Sequence, residues 1–279
     1  MIVALFANSS KKYSKSLALG VLEFFSRQSI TVVAPDEESR LLDIPNLSSV
    51  NPSKIDFIIS LGGDGTILQL IHKYPDLTAP VLGINTGHLG FMADVPISDL
   101  YPSLQDLISG AYKIDSRLVI QGETLHKETC FAVNEIVVHR GKNPSLVEIA
   151  IHVDGDYVNT FEADGIILST PNGSTAYSLA AGGPILSPSL EALVLTPISP
   201  HTISNRPIVL MPNQEIQIQY LSDYDPVEIR ADGMAGFELK TGEVFKISRS
   251  PGCFKLVSLF RRDYFSTLRT KLGWSGKLR

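Results

Sequence analysis

The chain predicts two domains over its 279 residues. The first is an N-terminal Rossmann-like α/β domain with a parallel sheet, the second a C-terminal, mainly β, sandwich-like domain. Three observations carry this. The length is enough for two hydrophobic cores. The first 95 residues alternate strand-like with helix-like segments, and beyond Pro96 a single helix gives way to short apolar runs separated by turns.

Residues 2–8 are an apolar run broken by Ser9, Ser10, Lys11 and Lys12, a first strand and turn. Residues 13–27 space Leu17, Val21, Leu22, Phe24 and Phe25 over a helix-sized segment, and residues 30–35 are strand-like again. Residues 55–61 form a third strand, 66–74 a helix without breakers, and 80–85 a fourth strand. This βαβ rhythm implies parallel strands joined by right-handed crossovers. Ligands of such sheets bind beyond the carboxyl ends of strands, where both glycine-bearing loops, 62–66 and 85–90, fall.

Residues 97–110 carry Leu100, Leu104, Leu107 and Ile108 at helical spacing. After them, 149–153 and 157–161 flank Asp154-Gly155, a hairpin signal. Residues 208–210, 215–220, 227–230 and 244–248 are further short strands, as in a β sandwich. There is no internal repeat, low-complexity segment or flexible linker.

A hydrophobic content of 44% with 19% charged residues describes a soluble globular protein, and no window approaches the roughly 20 apolar residues of a membrane span. The N-terminus reads as a strand rather than a signal peptide, so a cytoplasmic location is expected. Cys130 and Cys253 are too few for a disulfide framework and are read as buried thiols. A net charge of −5 gives no general attraction to nucleic acid or acidic lipid. The tail cations Arg261, Arg262, Arg269, Lys271, Lys277 and Arg279 read as a solvated face. None of the six histidines has zinc-ligand spacing, so no metal-binding side chains are expected. A Walker loop, a serine nucleophile elbow, the protein-kinase signatures and the dinucleotide fingerprint are all missing.

The chemistry concentrates in Ser60-Leu61-Gly62-Gly63-Asp64-Gly65-Thr66. Glycines at a strand end let another molecule approach the main chain, and successive N–H groups can then point at an anion. The helix expected from Thr66 adds its N-terminus. A plain strand-to-helix turn needs the same residues, so the loop alone leaves both readings open. In the second domain, Asn134-Glu135 interrupts an otherwise apolar segment, a pattern that fits an exposed strand face somewhat better than a ligand contact. Residues 162–184 run from Glu162-Ala163-Asp164-Gly165 through an apolar strand into a loop of hydroxyls and glycines and a helix of small residues. Ser174 or Thr175 is expected to cap that helix, leaving room for a flat ligand or for close packing against a sheet.

Taken in order, Gly62-Gly63-Asp64-Gly65-Thr66, Asn85-Thr86-Gly87-His88-Leu89-Gly90-Phe91, Asn134-Glu135, Asp164-Gly165, residues 169–178 and Lys271-Leu272-Gly273-Trp274 resemble bacterial NAD kinase along nearly the whole chain. The first loop is shared with diacylglycerol kinases, sphingosine kinases and phosphofructokinases; Asn134-Glu135 and residues 175–180 narrow the resemblance to NAD as acceptor. The resemblance implies transfer of the ATP γ-phosphoryl group to the 2′-hydroxyl of the adenosine ribose of NAD, giving NADP, with Mg²⁺ or a similar divalent cation. It implies Asp64 as general base, a phosphate cradle at Gly62, Gly63, Gly65 and Thr66, and NAD held by Asp64, Gly65, Asn134, Glu135, Asp164, Thr175, Ala176, Tyr177, Ser178, Leu179 and Ala180. It also implies a homo-oligomer, dimer or tetramer, and a tail, 258–279, returning to the first domain, beside the domains at 1–96 and 97–257 that the change of pattern near Pro96 predicts. Glu162 and Met234 depart from the family pattern, which has a basic residue and Gln there, so those roles are not carried over. A lipid or sphingoid kinase is the competing enzyme, disfavoured by the polar 169–178 loop. A silent nucleotide sensor is the non-enzymatic alternative, disfavoured by the intact Asp64.

Overall fold

The computed structural model describes residues 1–7, 14–234 and 236–276. The turn expected at Ser9 to Lys12, its neighbours Asn8 and Tyr13, and the cations Lys277 and Arg279 lie outside them. The chain forms two units, Met1–Asp115 with Lys255–Arg279, and Ser116–Phe254.

In the first unit β1 (Ile2–Ala7), β2 (Thr31–Val33), β3 (Phe57–Gly62) and β4 (Val81–Asn85) run parallel in the order β2-β1-β3-β4. The two-residue β5 (Val95–Pro96) lies parallel beside β4. Every residue of β3 and β4 is buried, as expected of parallel strands covered on both faces. The helices are α1 (Ser14–Ser26), α2 (Asp36–Leu42), α3 (Asp64–Lys73) and α4 (Leu100–Ser109). Helix α2 is absent from the sequence reading because it buries only Ser39 and Leu42, too little to set a period; its acidic first turn suits a helix N-terminus. Helix α4 buries Leu100, Leu104 and Leu107 in one core with Val3, Leu5, Val21, Phe25 and Leu82. The first unit therefore runs on past Pro96 to Asp115.

The second unit is entered along β6 (Tyr112–Thr124), which pairs with β7 (Thr129–Ala132). Then follow β8 (Glu135–His139), β9 (Val147–Val153), β10 (Asp156–Ala163), β11 (Gly165–Ser169), the single-turn helix α5 (Tyr177–Ala180), β12 (Leu193–Ile198), β13 (Ile208–Leu210), β14 (Ile216–Tyr220), β15 (Val227–Ala231), β16 (Phe237–Leu239) and β17 (Val244–Leu259). One antiparallel layer has the order β10-β9-β14-β17, the other β13-β12-β11-β8-β15-β16. Ile149, Ile151, Phe161, Ile216, Ile218 and Phe245 from the first share a core with Ile136, Val138, Ile166, Leu168, Leu195 and Ile229 from the second. The β9–β10 hairpin turns at Asp154 (φ 53°) and Gly155 (φ 91°), both in the positive range that the expected two-residue turn requires.

Strand β17 extends eleven residues beyond the expected end at Ser248, through Pro251-Gly252, and its final residues belong to the first unit, where Leu256 pairs with Val81. Its alternation turns Phe254 and Leu256 inward and Cys253 outward. Cys253 is thus exposed rather than buried, and Cys130 is half-buried. The chain closes with α6 (Tyr264–Leu272), capped by the Asp263 carboxylate, which accepts from the Ser266 N–H at 3.0 Å. Leu268 of this helix is buried, whereas Phe265 and Trp274 are exposed. Among the described residues no helix is long and apolar enough to cross a membrane.

Candidate functional site

In the first unit the chain leaves β3 at Gly62 and enters α3 with Asp64, two residues earlier than the expected start at Thr66. Asp64 is therefore in the first helical turn, where the helix dipole favours its charge. The Thr66 hydroxyl turns back to accept from the Gly63 N–H at 3.3 Å. Gly62 is required by this packing, since a Cβ there would sit 2.2 Å from Thr66 Oγ1. Gly63 and Gly65 are different: a Cβ on either meets nothing within 4 Å. The packing of the chain therefore does not require either of them to be bare.

The second glycine-bearing loop serves Asp64. Asp64 Oδ2 accepts from the Phe91 N–H at 2.8 Å, and Oδ1 from the Met92 and Ala93 N–H groups at 3.0 and 2.8 Å. A Cβ on Gly90 would lie 2.0 Å from Asp64 Oδ1. The loop keeps its shape through Asn85, whose amide donates to the His88 and Ala93 carbonyls and whose Oδ1 accepts from the Gly87 N–H at 2.6 Å. A carboxylate offers about four lone-pair positions. Three are filled, and the remaining one, on Oδ2, is directed by a carboxylate that cannot rotate without breaking three bonds.

In the second unit the segment expected as one strand is two, β7 and β8, joined by a bend at Val133-Asn134. Asn134 and Glu135 are both buried, at 8% and 7% exposure, which overturns the exposed-face reading. The bend is held by Asp232, a residue sequence reasoning did not select. Its Oδ1 accepts from the Asn134 and Glu135 N–H groups at 2.7 and 3.2 Å, and its Oδ2 from Val133 at 2.9 Å. Asp232 has φ 50° and precedes Gly233, so an Asp-Gly turn closing a strand was the one available signal. Burial, and next the Asp232 charge, push the Glu135 carboxyl up to about 8, with the Tyr177 N–H opposing them. Glu135 Oε2 is buried with no hydrogen-bond partner among the described residues.

The 169–184 segment packs on this bend. The Thr170 hydroxyl donates to the Val133 carbonyl, Thr170 N–H to the Asn134 carbonyl, and Asn172 Nδ2 to Asn134 Oδ1 at 2.7 Å. A Cβ on Gly173 would lie 2.2 Å from the Asn134 carbonyl oxygen. Neither Ser174 nor Thr175 caps α5, whose N-cap is Ala176 without a side-chain bond. The Ser174 hydroxyl instead donates to Pro171 and accepts from the Leu186 N–H, and Thr175 donates to the Asn172 carbonyl. Ser178 is buried against Thr196 at 2.9 Å. Tyr177 and Ala180 are exposed and Thr175, Ala176 and Leu179 half-buried, so these reach solvent while Ser178 does not.

The fold brings Asn134, Glu135 and Tyr177 together, but not Asp164. Glu135 pairs with Ser169 at one end of β11 and His139 with Gly165 at the other; at about 3.3 Å per residue Asp164 lies about 16 Å along the strand. There it pairs with Arg140, whose Nε is 2.7 Å from Asp164 Oδ1. Glu162 is an exposed β10 residue 3.5 Å from His201, and Met234 donates its N–H to Ala231 in the turn after Asp232.

Residues 3–112 match the family model for the ATP-NAD kinase N-terminal domain, and residues 133–259 that for the ATP-NAD kinase C-terminal domain. The chain is 57% identical over 278 residues to an NAD kinase of Protochlamydia amoebophila, each covered in full. It is 35% identical to an NAD kinase of Moorella thermoacetica, covering 98% of this chain and 90% of that one. Among solved structures, yeast NADH kinase complexed with NADH superposes with a TM-score of 0.85 at 26% identity, over 100% of this chain and 89% of that one. An NAD kinase from Archaeoglobus fulgidus in complex with ATP gives 0.78 at 26% identity, over 99% of this chain and 100% of that one.

Proposed function

The chain belongs to the ATP-NAD kinase family, and on that premise we propose that it transfers the γ-phosphoryl group of ATP to the 2′-hydroxyl of the adenosine ribose of NAD, giving NADP. The observation that carries the mechanism is the Asp64 carboxylate, held by three N–H groups with one position left on Oδ2. Phosphoryl transfer asks mainly for positioning and charge stabilisation. Asp64 orients the ribose hydroxyl and accepts its proton as the oxygen attacks phosphorus. We assign Gly62, Gly63, Gly65 and Thr66 to the phosphates: Gly63 and Gly65 give the approach a Cβ would fill, and a phosphate would take the Gly63 N–H from the Thr66 hydroxyl that now holds it.

The residues we assign to NAD are, within the first unit taken by itself, Asp64 and Gly65, and within the second, Asn134, Glu135, Asp164 and residues 175–180. Two polar clusters about 16 Å apart along β11 suit a ligand that is polar at both ends. Glu135 Oε2 is the open group of the first cluster, and Asp164 with Arg140 forms the second. Tyr177, exposed beside Glu135, offers a face to a flat ring; Ser178, buried against Thr196, acts through its backbone.

The described residues include no group of three or more side chains that could cage a metal. Mg²⁺ or a similar cation fits as an ion carried on the ATP phosphates, which needs few protein ligands, and it would neutralise their charge. The same premise implies a cytoplasmic homo-oligomer, a dimer or tetramer. Light scattering measures the oligomer directly.

The purified chain with ATP, Mg²⁺ and NAD is expected to form NADP. Asp64→Asn is expected to lower turnover about a hundredfold to ten-thousandfold with its melting temperature little changed. Full activity in that variant removes Asp64 from the mechanism; activity on diacylglycerol with none on NAD overturns the acceptor.

A further inference from the structure

Helix α6 ends on the loop that holds Asp64. Lys271, in its last turn, donates to the Leu89 carbonyl at 2.8 Å, and its ammonium lies 5.3 Å from the centroid of the Phe91 ring. Tyr264, at the other end of the helix, packs its ring 6.0 Å from the same Phe91 ring. Leu89 and Phe91 flank Gly90, whose missing Cβ makes room for the Asp64 carboxylate, and Phe91 supplies the N–H on Oδ2. One side chain thus grips both neighbours of the residue that packs on the carboxylate.

The helix has a firm base from which to do this. Arg261 pairs with Asp106 at 2.9 Å and donates to the Ser103 hydroxyl at 3.1 Å, both on α4. Arg262 pairs with Asp99 next to it, and Leu268 is buried. These contacts anchor the start of α6, yet none reaches the 85–93 loop. Lys271 is exposed and Leu89 half-buried, and the contacts of Arg261, Arg262 and Leu268 that anchor the helix do not involve Lys271. What it does constrain is where residues 89–91 lie.

We propose that Lys271 is a positioning residue for phosphoryl transfer: from the end of α6 it clamps the loop at Leu89 and Phe91 and so fixes the direction of the Asp64 carboxylate. The inference rests on the reading of Asp64 as the proton acceptor. Displacements near 1 Å at a reacting group cost about a hundredfold in rate, so small freedom in this loop reaches the chemistry.

Lys271→Met keeps an aliphatic stem on Phe91 and removes the charge and the donor. It is expected to lower kcat about tenfold to a hundredfold, with KM for NAD and for ATP within about twofold and an unchanged melting temperature. Lys271→Arg, which can donate to the carbonyl and stack on the ring, is expected to restore most of the loss. In an Asp64→Asn background Lys271→Met is expected to cost nothing further, because both changes remove one function. Wild-type kcat in Lys271→Met overturns the proposal, and so does a loss that multiplies in full with Asp64→Asn. Full activity of Asp64→Asn alone is a separate outcome, which removes the role of Asp64 itself.

Discussion

Glu135→Gln separates a buried neutral acid from a buried charge. The Glu135 carboxyl is 7% exposed and faces the Asp232 carboxylate, and these effects push it from its ordinary 4.5 up to about 8. Between those values the folded chain holds a proton that the unfolded chain has released, so ν_N exceeds ν_U and stability falls as pH rises. At about 1.4 kcal/mol for each pH unit between 4.5 and about 8, the loss totals roughly 5 kcal/mol and levels off above pH 8. Glutamine matches the protonated acid in shape and does not titrate. Wild type and variant are therefore expected to melt together near pH 5. By pH 8.5 the variant is expected to melt about ten degrees higher, at about two degrees per kcal/mol for a chain of this size. Thermal unfolding of both proteins from pH 5 to 9 reads the difference directly. A difference that does not change with pH means that Glu135 ionises as an exposed acid does, and the burial argument fails.

Three further outcomes follow from the same geometry. Gly65→Ala places a methyl in open space inside a helix, so it is expected to raise stability by up to about 1 kcal/mol while raising KM for ATP; lower stability with unchanged KM refutes the open-backbone reading, and urea denaturation beside steady-state kinetics measures both. Asp232→Ala strands three backbone N–H groups and is expected to cost at least about 3 kcal/mol, read as a lower urea midpoint. In thiol labelling at neutral pH, exposed Cys253 is expected to react first, because burial pushes Cys130 up to about 11 and leaves almost no thiolate; equal rates contradict this.

What could be read from the sequence depended on whether the cause was local. Strands β3 and β4 were legible as unbroken apolar runs, and the β9–β10 turn because only certain residues tolerate positive φ. Helix α2 was not, since two buried residues leave no period. Glycines 62, 63 and 65 stood out together, but the sequence could not separate Gly62, fixed by Thr66, from the two that face open space. Asn134 and Glu135 looked exposed because polar residues in strands usually are. Their burial is made possible by Asp232, about a hundred residues away, whose carboxylate satisfies the backbone of the bend. The outward turn of Cys253 likewise depends on the continuation of β17 past Pro251-Gly252, which no local signal announces.

Asp64 and Asp232 are bound by the same device in the two units. Each carboxylate accepts from three successive backbone N–H groups, residues 91–93 for Asp64 and 133–135 for Asp232, with Oδ1 shared by two donors and Oδ2 taking one. The consequences differ because the surroundings differ. Asp232 is buried, so its bonds replace water for a bend that would otherwise carry stranded donors, and the cost of losing it falls on the fold. Asp64 is half-buried beside two glycines that leave open space; asparagine keeps the Oδ1 acceptor, and the one donor it strands, the Phe91 N–H, is on a half-buried residue that water reaches, whereas at Asp232 the stranded donor is on fully buried Val133. Asp64→Asn and Asp232→Asn thus make the same chemical change to the same bonding pattern. The first is expected to lower turnover about a hundredfold to ten-thousandfold at nearly constant melting temperature, and the second to lower the melting temperature before it lowers the turnover of the protein that remains folded. If both variants lose stability and activity in the same proportion, the three N–H donors around Asp64 serve the fold alone.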